Sequence, residues 1–246
     1  MFPIRDHNPS GRTPYVTYAL IALNVLVFLS YVSLFNDPRA LNLLFYDWAI
    51  LPARISQSDG YETLVTSMFL HGGFLHIAGN MLFLWIFGDN LEDEMGHVGF
   101  FVFYMVCGIG AGLVHVMSAP TSLVPTVGAS GAIAGVMGGY LLLFPKAKID
   151  ILLIIIIFFR IFTIPAWIML AVWFVLQFFG GLASNAHMGG VAYWAHAGGF
   201  VVGVVLTLPV FLRRGGKSYW QENKFHPPHP EAKYDPSRIP TIRRRR

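Results

Sequence analysis

Long stretches without a single charged side chain divide this chain. Thr13 to Asn36 and Thr63 to Gly88 hold no Asp, Glu, Lys or Arg, and neither do Met95 to Pro145 and Ile161 to Leu212. An α-helix needs about 20 apolar residues to cross the hydrocarbon core of a bilayer. The first two stretches each accommodate one crossing, and the last two accommodate two crossings and a loop apiece. The pattern predicts six transmembrane helices, near 15–35, 74–88, 98–117, 130–144, 163–180 and 191–212. Ile151 to Phe159 is apolar but too short to cross, and reads as interfacial or as a lead-in to the fifth helix.

The segments between these helices differ in character. Phe35 to Leu70 is a long loop with Phe45, Tyr46, Trp48 and Tyr61, side chains suited to the headgroup layer. It is expected to be partly helical and packed on the bilayer surface. Asp89 to Glu94 reads as a short acidic loop, Ser118 to Val127 as a proline-bearing lead-in to the fourth helix, and Gly180 to Gly190 as a flexible loop. The expected organisation is a cytoplasmic segment over 1–12, one membrane domain over 13–212, and a basic, disordered cytoplasmic tail over 213–246. The tail, with Pro227, Pro228 and Arg243 to Arg246, lacks the apolar residues for a core.

Composition agrees with the pattern. Of 246 residues, 55% are hydrophobic and 12% charged, against about 25% charged in a typical soluble domain. Six crossings put both termini on one side. Fifteen of the 17 Lys and Arg residues then share that side, leaving Arg39 and Arg54 opposite. The positive-inside rule makes the crowded side cytoplasmic. The N-terminus has no basic start leading at once into an apolar core, so no cleaved signal peptide is expected. The net charge of +4 comes mostly from the tail. That tail suits anionic lipid better than nucleic acid, since no aromatic-interleaved basic patch accompanies it. Cys107, the lone cysteine, cannot form an internal disulfide and reads as a small buried hydrophobe.

Polar groups inside these helices carry the candidate chemistry. His76, Ser130 and His196 fall in the first turn or two of the second, fourth and sixth helices. Those helices run in the same direction, so the three groups share a shallow depth on the outer side. Gly131, Gly135 and Gly139 on the fourth helix, and Gly199 and Gly203 on the sixth, allow close backbone approach. That contact would bring Ser130 to His196, a nucleophile to a general base. No crossing holds a carboxylate, so the pair would work as a dyad. His76 and Asn80, four residues apart on one helix face, could donate to an oxyanion. Each group also has a plain reading: Ser130 bonded to its own helix, His196 packed, His76 and Asn80 knitting helices together. Zinc on His71, His76 and His187 is a further alternative, disfavoured because no intramembrane carboxylate could activate a water.

These residues resemble the rhomboid family of intramembrane serine proteases. The residues from Leu64 to Asn80 look like the family's His-x4-His-x3-Asn signature, here His71, His76 and Asn80. Gly128-Ala-Ser130-Gly131 looks like its nucleophile motif, and His196-Ala-Gly198-Gly199 with Gly203 like its base motif. The resemblance implies an all-α, rhomboid-like bundle of six transmembrane helices with a membrane-associated first loop. It implies Ser130 as nucleophile and His196 as base. The oxyanion hole it implies combines His76, Asn80 and the Ser130 backbone, with Gly128 alongside. It further implies cleavage of single-pass membrane proteins near the outer face, with no cofactor or metal. Family members often stack Tyr or Phe, four residues after the nucleophile, on the histidine. Ala134 stands there, so something else must support the His196 ring. A non-catalytic binder of membrane clients, or a solute transporter, would be the competing functions. A transporter would be expected to show an intramembrane charge. The expected location is a bacterial cytoplasmic membrane; substrate and oligomeric state are not legible.

Overall fold

The segment ahead of the first long helix holds a strand, β1 (Phe2–Asp6), followed by α1 (Tyr15–Tyr31), which tightens into a 3₁₀ turn over Val32–Asn36. The structure, a computed structural model, describes residues 2–155, 158–184 and 190–234. Three short helices follow α1: α2 (Pro38–Trp48), α3 (Pro52–Ser56) and α4 (Thr63–Thr66). Asp37 starts α2 by accepting the Arg39 and Ala40 amides, with Pro38 at the first helical position. The loop they form leaves Leu43, Tyr46 and Trp48 uncovered. Its inner face pairs with the segment leading into the fourth predicted helix, through Ile50 N–H to Thr126 O at 3.1 Å and the reciprocal bond at 2.9 Å.

The 45-residue α5 (Phe74–Ser118) breaks at Gly96, where φ is 72° and ψ 164°. Only glycine takes that conformation readily, so α5 is two helical legs bent at a hinge. The acidic segment predicted as a loop is instead the last turns of the first leg. Its carboxylates tie down other elements. Glu92, 1% exposed, accepts the Val16 and Thr17 amides and the Thr17 hydroxyl, each at 2.8 Å. It thereby satisfies amides at the start of α1 that have no helical partner.

After α5 come α6 (Ser130–Leu143), β2 (Lys148–Ile155), β3 (Phe158–Pro165), α7 (Ala166–Ala183), α8 (Tyr193–Arg213) and α9 (Lys217–Glu222). Four helices are long and apolar enough to cross a membrane: Tyr15–Asn36, Phe74–Ser118, Ala166–Ala183 and Tyr193–Arg213. At 14 residues α6 is shorter, rising only about 21 Å. It is nonetheless the central element, buried at every position from Gly131 through Tyr140. Glycine makes that position possible. A Cβ on Gly199 of α8 would strike the carbonyl oxygen of Gly131, and one on Gly203 that of Gly135. Below, Tyr140 packs edge-on against Phe87 and Phe144, with ring centroids 5.0 and 5.3 Å apart.

Two expectations need correction. The fold is not all-α: β1, β2 and β3 form an antiparallel sheet in that order, in which Arg5 pairs with Asp150 and Asp150 with Thr163. Where it is described, the apolar run at 151–159 thus belongs to the paired strands β2 and β3. The tail, expected to be disordered from 213, is folded as far as it is described, to Tyr234. Trp220 Nε1–H of α9 donates to Leu142 O at 3.0 Å. Farther on, the Ala232 amide reaches His7 O at 2.9 Å, Lys148 pairs with Glu231 at 2.6 Å, and Arg5 lies 4.0 Å above the Tyr234 ring. Partners contributed by the N-terminal segment, by α6 and by β2 supply the order that the tail's own composition cannot.

Two carboxylates in this region behave oppositely. Burial alone would raise the Asp150 carboxyl, but hydrogen bonds from Thr163, His7 and Arg5 outweigh it and hold the group below its usual value. The Asp6 carboxyl is pushed up to about 8, first by burial and then by Asp89, against the 2.7 Å bond from Tyr140 Oη–H. Between about pH 4 and pH 8 the folded chain therefore keeps a proton that the unfolded chain has released. Stability from this site falls as pH rises through that window. Thermal melts in detergent are expected to show the wild-type midpoint declining from about pH 5 to pH 8, and a flatter dependence in Asp6→Asn.

Candidate active site

Ser130 opens α6, so its backbone N–H is among the amides that have no partner within their own helix. Gly128 arranges the approach. Its φ of 131° is a glycine conformation, and its amide donates to Ser67 O at 2.9 Å. The Gly128 N–H is thus committed elsewhere, and what this residue supplies is space. A Cβ there would lie 2.8 Å from His76 Nε2 and 3.5 Å from Ser130 Oγ.

His196, in the first turn of α8, meets Ser130 across the glycine contact: Nε2 and Oγ are 2.7 Å apart. On the other side of the ring, Nδ1 lies 2.8 Å from Gln177 Oε1 of α7. The amide oxygen can only accept, so Nδ1 carries the proton and Nε2 is left to accept from the serine hydroxyl. Trp173, one turn before Gln177, sets its ring 5.8 Å from the imidazole at 32°.

His76 and Asn80 lie in the first two turns of α5. The His76 Nδ1 accepts the Gly72 amide at 3.2 Å, which assigns the ring proton to Nε2, the nitrogen facing the space beside Gly128. Asn80 is 7% exposed, and its Nδ2 has no partner among the described residues. Two side-chain donors and a helix-end amide therefore share one space with the hydroxyl. A cavity of about 520 Å³ reaches this group; Ser130, His196, His76, Asn80, Trp173 and His115 line it. Such an array can take a proton from a hydroxyl and hold the negative oxygen formed when that hydroxyl attacks a carbonyl.

The structure thus gathers all five sequence-predicted residues, Ser130, His196, His76, Asn80 and Gly128, around one space. Of the alternative zinc set, His71 and His76 pack edge to face at 5.1 Å, and His187 lies outside the described residues. Among the described residues no three His, Cys, Asp or Glu side chains converge. Sequence reasoning missed Gln177 and Trp173. The signal was present: Gln177 is the one polar side chain between Trp167 and Phe179, and a polar group inside a membrane helix faces protein or a wet cavity.

A rhomboid domain family model matches residues 58–213. Rhomboid protein 1, mitochondrial, of Saccharomyces cerevisiae is 32% identical over 205 residues, covering 77% of this chain and 51% of that protein. Rhomboid-like protein 11, chloroplastic, of Arabidopsis thaliana is 33% identical over 147 residues, covering 58% and 50%. Rhomboid protease GluP of Bacillus subtilis is 32% identical over 128 residues, covering 52% and 24%. The chain spans about half the length, or less, of these curated relatives.

Proposed function

From the premise that this chain belongs to the rhomboid family and is an integral membrane protein, we propose that it is a serine endopeptidase acting within the bilayer. The observation that carries this is the 2.7 Å contact between Ser130 Oγ and His196 Nε2, with the ring proton held on the opposite nitrogen. As Ser130 Oγ attacks a peptide carbonyl, its proton passes to His196 Nε2. The developing oxyanion is held by His76 Nε2–H, Asn80 Nδ2–H and the Ser130 amide. The imidazolium returns the proton to the departing amine, leaving an acyl-serine. Water, deprotonated by the same nitrogen, then releases the carboxylate.

Six crossings follow if each leg of α5 and the short α6 span the membrane along with α1, α7 and α8. Both termini then lie on the cytoplasmic face, an orientation the Lys and Arg asymmetry supports, and the dyad lies toward the outer face. The membrane we favour is a bacterial cytoplasmic membrane. The substrates are single-pass membrane proteins. Their helices must unwind before cleavage, because a helical carbonyl is already engaged four residues on.

A serine-reactive fluorophosphonate tests the chemistry without knowledge of the substrate. Purified protein is expected to take one label, located by peptide mapping at Ser130, and to cleave single-span reporters at a rate that the label abolishes. Labelling at another residue, with cleavage untouched, would sink the reading.

A further inference from the structure

We propose that Gln177 is the positioning residue of this site, fixing the tautomer and rotation of His196 as a carboxylate does in a three-residue serine hydrolase. The inference rests on the hydrolase reading of Ser130 and His196 and adds a third side chain to it.

A neutral imidazole has two tautomers, and only the one protonated on Nδ1 leaves Nε2 free to take the serine proton. Nothing in α8 itself selects between them. Ala134 offers no ring to hold the imidazole from α6, and the carboxylates Asp89 to Glu94 belong to the far end of the first α5 leg. Gln177 Oε1 meets Nδ1 at 2.8 Å. The other end of the same amide, Nε2, lies 3.4 Å from Trp173 O, one turn back. That second contact sets which amide atom faces the histidine. Were the amide reversed, an N–H would face His196 and an oxygen would face a carbonyl.

The choice of an amide has a physical reason. Gln177 is only 9% exposed, in a helix whose surroundings are apolar. A charged carboxylate there would bear a large desolvation penalty while the histidine is neutral. A carbonyl dipole orients the ring without a standing charge, and still opposes the positive charge that appears on the imidazole during attack. Reach matters too: asparagine, one methylene shorter, would fall short of Nδ1 from the same backbone position. The catalytic array is therefore drawn from four helices, with α7 supplying the part that α6 lacks.

The test combines turnover with a readout that does not depend on it. Gln177→Leu, Gln177→Asn and Gln177→Glu are assayed on a single-span reporter in proteoliposomes. Gln177→Leu and Gln177→Asn are expected to lower kcat by about 10- to 100-fold with KM within about twofold, and Gln177→Glu to recover much of kcat while melting at a lower temperature than wild type, the cost of the buried carboxylate. Nitrogen-15 NMR of labelled histidine, with the His196 signal assigned by its loss in His196→Ala, is expected to show one tautomer in the wild type and a mixture in Gln177→Leu. Wild-type kcat in Gln177→Leu overturns the inference. So does a kcat loss in all three variants while the His196 tautomer stays unchanged. If instead the wild type neither cleaves nor takes a fluorophosphonate, the hydrolase reading fails, and the NMR comparison still decides whether Gln177 sets the ring.

Discussion

Ser130→Ala is expected to reduce cleavage of a single-span reporter to background. In serine hydrolases built around the same pair, loss of the nucleophile costs about a millionfold in kcat. His196→Ala should fall to a similar level, and the double variant should fall no further, because hydroxyl and imidazole act as one unit. Stability responds differently. Alanine removes one hydrogen bond at a half-buried position, worth about 1 kcal/mol net, and leaves His196 Nε2 facing a cavity that admits water. Melting temperature should therefore stay within a few degrees of wild type while turnover disappears. Reporter cleavage in proteoliposomes alongside thermal melts in detergent separates the two effects. Substantial cleavage by Ser130→Ala would end the dyad interpretation.

The second large effect concerns the contact that assembles the dyad. Gly203→Leu is expected to prevent stable folding, with Gly199→Val close behind. A Cβ at either position meets a backbone oxygen of α6, that of Gly135 or Gly131. A clash with a side chain can be relieved by a rotamer change, but here a whole helix must move. Overpacking in a well-packed interior commonly costs about 1–3 kcal/mol, and displacement of the central helix places these variants at or beyond the upper end. Gly79→Ala is the control, since a Cβ there meets nothing within 4 Å and alanine favours a helix by about 1 kcal/mol. Monodisperse yield and melting temperature report the outcome. A Gly203→Leu protein that melts like wild type would show that α6 and α8 do not touch as described.

Much of this was legible in the chain. Uncharged runs locate helices by composition alone, and Ser130, His76 and His196 reveal themselves as polar residues where polarity is costly. The glycine ladder predicted the α6–α8 contact nearly residue by residue, apart from Gly139, whose Cβ would meet Thr207 Oγ1 at 2.6 Å rather than a partner glycine. What escaped depends on partners far away in sequence. The β1 strand is five residues long and means nothing until Asp150 lies beside Arg5, 145 positions on. Tyr234 looks like part of a floppy basic tail until it covers Arg5. Gln177 was visible as an isolated amide, but its role depends on α7 facing α8, which no pattern within α7 encodes.

The shortness of α6 has a consequence for the membrane itself. A helix rising about 21 Å leaves roughly 9 Å of a 30 Å hydrocarbon layer without its central post, and the cavity above Ser130 fills part of that height. A hydrolase needs such a wet pit, yet a cell cannot tolerate a leak of protons or ions through it. Beyond the cavity floor α6 is buried as far as Tyr140, and Phe87, Tyr140 and Phe144 close the column with fully buried rings. In the six-crossing arrangement proposed above, the same close-packed helix that holds the nucleophile would also keep the membrane electrically tight beneath the cavity.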